Sequence, residues 1–208
     1  VRIKTRYIVL VVVLLVTVTF IIFLLSSKQD KLTHHSVVNE TIIQTKTFSV
    51  SADSTDYITS SKGVVFVKGD GDKVEGMQIV AQIEIDPNDW GGVSFLLPAH
   101  WVVSNITSSY PENVTNTTPY EHISTWTTAD TDVEWAASIE IGRDRSYLQT
   151  AGGTGTVVID VIPDENINPT EAIQVGVAVG SAIRNGYKVV GTDHIKIPIS
   201  IAQKEVAQ

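Results

Sequence analysis

Apolar and polar side chains alternate with a period of two along much of this chain, the pattern of strands with one buried face. Met77, Ile79, Ala81, Ile83 and Ile85 fall on one side of a strand, with Gln78, Gln82 and Glu84 on the other. Val133, Trp135, Ala137, Ile139 and Ile141 repeat the pattern against Glu134, Ser138 and Glu140. Near the end, Ile195, Ile197, Ile199 and Ile201 alternate with Lys196, Pro198 and Ser200. Pro198 has no N–H to give to a ladder, which predicts an edge strand or a bulge. Further strands are predicted at 63–68, 93–97, 101–106, 122–127, 156–162 and 173–179. Turn chemistry separates them at Gly69-Asp70-Gly71-Asp72, Asp86-Pro87-Asn88-Asp89, Gly152-Gly153-Thr154-Gly155 and Asn185-Gly186. Gly152 to Gly155 feeds a strand and is read as a hairpin turn. In this part of the chain a turn of helix is expected only at 163–170 or 182–185. About nine short strands at this spacing predict an antiparallel β-sandwich, with a barrel as the alternative.

One segment breaks the alternation. Residues 7–25, YIVLVVVLLVTVTFIIFLL, carry no charge and follow the basic head Arg2-Ile3-Lys4-Thr5-Arg6. As a helix this run spans roughly 28 Å, close to the ~30 Å hydrocarbon core of a bilayer. Thr17 and Thr19 can bond back to helix carbonyls, so no polar group need go unpaired in lipid. A cleaved signal has a shorter apolar region and a small-x-small cleavage site, whereas Leu24 and Leu25 precede Ser26-Ser27 here. The expectation is therefore a retained anchor. Arg2, Lys4 and Arg6 before the span, against Lys28 and Lys31 diluted by Asp30 after it, orient the N-terminus toward the cytoplasm. The expected organisation is a cytoplasmic head at 1–6, an anchor in the lipid bilayer at 7–25, a juxtamembrane stalk at 26–44, an extracytoplasmic sandwich at 45–203 and a tail at 204–208.

Composition sharpens this picture. From Thr41 onward there are 10 Lys and Arg against 21 Asp and Glu, a net of −11, more acidic than the −8 of the whole chain. That sign disfavours nucleic acid and anionic headgroups as partners, since both need a basic footprint. The chain has no Cys, which excludes disulfides, a thiolate nucleophile and thiolate zinc sites.

Candidate chemistry concentrates between Lys73 and Arg143, a stretch with no Lys or Arg that holds ten acidic residues and all four Trp. Aromatic rings beside carboxylates suit a sugar, whose apolar face packs on the ring while its hydroxyls meet the polar groups. Trp135 is in phase with Val133 and Ile139 and is assigned to the core. Trp101 and Trp126 lie in strands, where core packing competes with ligand contact. Trp90, in the loop Asp89-Trp90-Gly91-Gly92, is the best surface candidate, and Asp89, Trp90 and Trp126 form the expected ligand-binding set. Asp70, Asp72, Asp130 and Asp132 offer hard oxygen ligands to Ca²⁺, but their spacing is not that of an EF-hand and suits ordinary turns better. No cofactor is expected. Asn39, Asn105, Asn113 and Asn116 begin Asn-x-Ser/Thr sequons, competent for glycosylation in an exported protein. None of the five His has metal-protease spacing, and no nucleophile elbow or phosphate-binding loop occurs.

This layout resembles, in architecture, the single-span surface proteins of bacteria and archaea that carry an immunoglobulin-like or cohesin-like sandwich. No functional residue is carried over from that resemblance. The reading that follows is a non-enzymatic interaction module on the outer side of the cell membrane, binding an envelope glycan or another surface protein. The alternatives are a structural subunit or stator-like anchor of an envelope appendage, and an extracytoplasmic hydrolase built on a carboxylate pair.

Overall fold

Burial of every second residue drives the fold, and the computed structural model describes how residues 41–70, 73–112, 121–128, 134–164 and 172–200 achieve it. Ten strands form in chain order: β1 (Ile42–Ser51), β2 (Ser60–Asp70), β3 (Lys73–Ile85), β4 (Val93–Leu97), β5 (Trp101–Ser108), β6 (Ile123–Thr127), β7 (Ala137–Ile141), β8 (Gly153–Pro163), β9 (Ile173–Arg184) and β10 (Tyr187–Ile199). They make two five-stranded sheets, β1-β2-β3-β8-β5 and β10-β9-β4-β7-β6, here called sheets A and B. Every neighbouring pair is antiparallel. The described part is thus all-β, with two sheets enclosing one apolar core.

The predicted alternation on β3 is realised: Met77, Ile79, Ala81, Ile83 and Ile85 are all buried. They meet Val93, Phe95 and Leu97 of β4 and Val175, Val177 and Val179 of β9 in one cluster. Phe48 of β1 and Phe95 of β4 pack edge to face with centroids 6.3 Å apart, joining the two sheets directly. β10 ends sheet B, one of the two placements that Pro198 predicted.

Several sequence expectations change. Residues 182–184 continue β9 and form no helical turn, and β10 begins at Tyr187, well before Ile195. Asn185 and Gly186 both take positive φ, 52° and 79°, the geometry of a tight hairpin whose twist matches its strands. Gly152 to Gly155 is not a hairpin, because β7 belongs to sheet B and β8 to sheet A; the chain crosses between sheets there. A Cβ at Gly155 would lie 2.6 Å from Tyr110 Cα, so this glycine permits close backbone approach. The strand expected from Val133 starts only at Ala137, leaving Trp135 half-buried outside it and not in the core. A first strand at the end of the 26–44 segment accords with the sequence: β1 begins at Ile42.

The head, the anchor segment 7–25, the rest of the stalk and the tail lie outside the described residues. Among the described residues no helix is long and apolar enough to cross a membrane.

Since sequential strands alternate in direction, connections fall at two ends. The β1–β2, β3–β4, β5–β6, β7–β8 and β9–β10 connections share one end, called the loop end here. β1 starts at the other end, where Ile42 faces Lys68 and β10 finishes at Ile199.

The Phe48–Phe95 contact makes the core testable. Phe95→Ala should cost about 3–5 kcal/mol, the usual range for emptying a buried aromatic site, measured by urea unfolding of the 40–208 fragment. A loss below about 1 kcal/mol would mean that the two sheets do not share this core.

Candidate functional site

The β3–β4 connection has only seven residues to pass from one sheet to the other, so its polar groups must be satisfied locally. Asp86 starts it with an Asx turn. Its carboxylate accepts from the Asn88 N–H at 2.8 Å, the Asn88 side chain at 3.2 Å and the Ile58 N–H at 3.2 Å. Asp89 is 0% exposed. It accepts from the Thr59 hydroxyl at 2.6 Å, the Gly91 N–H at 2.8 Å and the Ser181 hydroxyl. Thr59 precedes β2 and Ser181 lies on β9, so one buried carboxylate ties three segments together.

Trp90 is only 7% exposed and turns its ring inward, against the edge of Tyr147 with centroids 4.9 Å apart. The Asp144 N–H donates to its carbonyl at 3.0 Å. Asp89 and Trp90 therefore do not form the surface expected from sequence. A short crossing loop cannot leave an indole in water when filling the end of the core with it removes so much apolar area from solvent.

Trp126, the third member of that set, lies at the surface. It is 42% exposed on edge strand β6, with its Nε1–H donating to Ser124 Oγ at 3.0 Å. The Arg145 guanidinium lies 3.6 Å from its ring centroid. Arg145 donates through Nε to Glu140 Oε2 at 3.2 Å and through Nη2 to Oε1 at 2.8 Å, a bidentate pair. Arg143 Nη1 donates to the same Oε1 at 2.5 Å. Glu140 is 3% exposed although it lies on the face away from the core; both arginines pair with it, and Arg145 in turn lies against the Trp126 ring.

The β7–β8 connection carries these arginines and then Tyr147 and Leu148, both exposed. Lys188 Nζ sits 3.9 Å from the Tyr147 centroid, so that ring contacts both the Trp90 ring and a cation. Lys188 faces Ile183 across the β9–β10 hairpin, and Ile183 and Tyr187 are strongly exposed, Tyr187 at 76%. Arg184 donates to Ser54 Oγ at 2.9 Å, and Ser54 donates to Asp193 Oδ2 through its N–H at 3.1 Å and its hydroxyl at 2.6 Å. The loop end of sheet B thus carries Arg143, Arg145, Arg184 and Lys188 and the exposed Tyr147, Leu148, Ile183 and Tyr187, with the Tyr187–Arg184 and Lys188–Ile183 pairs on opposite faces of the β9–β10 hairpin. Sequence reasoning missed this group. The phase of β6 was a usable signal, since Trp126 aligns with Ser124 and opposite Ile123.

Electrostatics agree with these roles. The Asn88 N–H holds the Asp86 carboxyl below its ordinary range against partial burial, with help from the Ile58 N–H and the Asn88 side chain. Burial alone would raise Asp193, but hydrogen bonds from Ser54 and Thr192 outweigh it and its pKa is lowered. Burial pushes the Tyr110 hydroxyl up to about 12, with the Asp89 charge adding to that and a Thr150 hydrogen bond opposing it.

Of the calcium candidates, Asp70 closes β2 opposite Lys73 in the β2–β3 hairpin, and Asp72, Asp130 and Asp132 lie outside the described residues. Among the described residues no three His, Cys, Asp or Glu converge on a metal position. Asn105 is exposed on β5, while Asn39, Asn113 and Asn116 lie outside the described residues. Comparison with protein-family models, curated proteins and solved structures returns no match, so residue chemistry alone carries the functional argument.

Two outcomes follow from this geometry. Asp89→Ala strands three donors in a buried place and should destabilise by about 3 kcal/mol or more, at roughly 1–3 kcal/mol per unsatisfied group, whereas Trp126→Ala should stay within about 1 kcal/mol; chemical denaturation ranks the two. Asp86 and Asp193 have lowered pKa values in the folded state, so their stabilisation is full above the ordinary Asp value of about 3.9 and is lost as pH falls through the folded values. Thermal unfolding should hold its midpoint down to about pH 4 and drop below it, and the Asp86→Asn, Asp193→Asn double variant should show a shallower drop.

Proposed function

We propose that this chain is a single-span surface protein whose immunoglobulin-like or cohesin-like sandwich is a binding module, held outside the cell by residues 7–25. Its partner is an envelope component, a glycan or another surface protein, met at the loop end. The observation that carries this reading is polarity. The chain enters the described domain at Thr41, and the exposed side chains of Tyr147, Leu148, Ile183 and Tyr187 lie at the opposite end. A tether at one end of a sandwich leaves the other end free to reach a partner. Aromatic side chains backed by fixed cations suit recognition, because a ring held in place by Trp90 and Lys188 loses little entropy on binding. Trp126 and Arg145 extend the same surface along sheet B. Asp89 and Trp90 contribute by holding Tyr147 in position, without touching the partner.

A second reading is an assembling structural subunit. Support for it lies in the edges: β1 and β10, of 10 and 13 residues, each end a sheet. Cross-linking on intact cells would recover the chain bound to itself in high yield under that reading, and bound to another envelope component under the first.

The direct measurement is binding of the 40–208 fragment to isolated envelope from the source cells. The Tyr147→Ala, Tyr187→Ala double variant should lose about tenfold or more in affinity, as expected when aromatic anchors of an interface are truncated. Periodate treatment of the envelope should abolish binding if the partner is a glycan and spare it if the partner is a protein. Unchanged affinity in the double variant would mean that the loop end is not the contact.

A further inference from the structure

Asn105 sits in a place that its sequon alone does not reveal. It lies on β5, a strand at the edge of sheet A that, among the described residues, pairs with β8 alone. The β5–β8 register slips between Val103 and Asn105, so a bulge opens the ladder at this residue. Asn105 and Thr107 are both exposed on the outer face, and the Asn105 amide nitrogen lies 3.4 Å from the Thr107 hydroxyl. The second donor contact of that amide, to Asp160 Oδ2, is equally long. Beside it an apolar cross-strand pair, Val102 and Ile162, is exposed on the same outer face. Without a cover, an accessible edge flanked by such a pair invites pairing with other chains.

We propose that Asn105 carries an N-linked glycan, which covers the β5 edge and the Val102–Ile162 pair and leaves the loop end as the open surface. The proposal rests on the export reading above. The co-reactant is a polyprenyl-phosphate-linked oligosaccharide delivered on the outer side of the membrane. Asn105 Nδ2 forms a bond to the anomeric carbon as the bond from that carbon to the phosphate oxygen breaks. The polyprenyl phosphate leaves with the electron pair, and one amide proton passes to a base of the transferase. The Thr107 hydroxyl is the sequon group that the transferase must reach, and at this bulged edge it is accessible together with the acceptor amide. A sugar there also presents its apolar face to Val102 and Ile162.

The test uses the full-length chain purified from its source cells, digested and examined by mass spectrometry. The peptide holding Asn105 should carry a hexose-containing mass shift. That shift should vanish in both Asn105→Gln and Thr107→Ala, and persist in Thr107→Ser, which keeps the hydroxyl. Protease added outside intact cells is run in parallel. An unmodified Asn105 in a chain that external protease cuts would overturn this proposal while leaving export standing. An unmodified Asn105 in a chain that external protease cannot reach would sink both.

Discussion

A single carboxylate in a dry place organises the loop end of this molecule. Asp89 cannot be buried at 0% exposure unless both of its oxygens find donors, and Thr59, Gly91 and Ser181 supply them from three different segments. That requirement holds the β3–β4 crossing against the β1–β2 connection of sheet A and against β9 of sheet B. Trp90 follows directly in the chain and is thereby aimed into the core, where its edge supports Tyr147. The exposed Tyr147 ring therefore rests against a side chain that this buried carboxylate positions.

Sheet B shows a second constraint of the same kind. All five residues of β7 are buried, including Ser138 and Glu140 on the face away from the core. A central strand with two covered faces normally reads as a continuous apolar run. Here Glu140 is tolerated because Arg143 and Arg145 neutralise it and the Trp126 indole shields the pair from water. Removing Glu140 would release Arg145 from Trp126, so the surface presented by β6 depends on a residue that the solvent barely sees.

The two ends of the domain consequently differ in character. The end where β1 starts receives the chain from its N-terminal segment and holds Asp70 and Lys73 in an ordinary hairpin. The other end carries exposed rings and sets Arg143 and Arg145 against Glu140, and Arg184 beside Ser54 and Asp193.

Much of the fold was legible in the residues. The period-two pattern located β3, β4, β5, β6, β8, β9 and the end of β10, and Pro198 marked an edge, because these features depend only on neighbours along the chain. Composition likewise determined the acidity, the lack of thiol chemistry and the expectation of an anchor at 7–25. Tertiary structure decided what the pattern leaves open. Whether Trp90 is a contact or a plug depends on the path of a seven-residue loop between sheets, and whether Trp126 is core or surface depends on which face of β6 meets the other sheet. Gly152 to Gly155 joins strands of different sheets, a fact that no local turn chemistry encodes. The joining of Arg145, Glu140 and Trp126 into one stack, and of Tyr147 with Lys188, likewise arises only when strands distant in sequence are brought side by side. Alternation along a strand records that a face is buried, but burial against what is a property of the packed sheets.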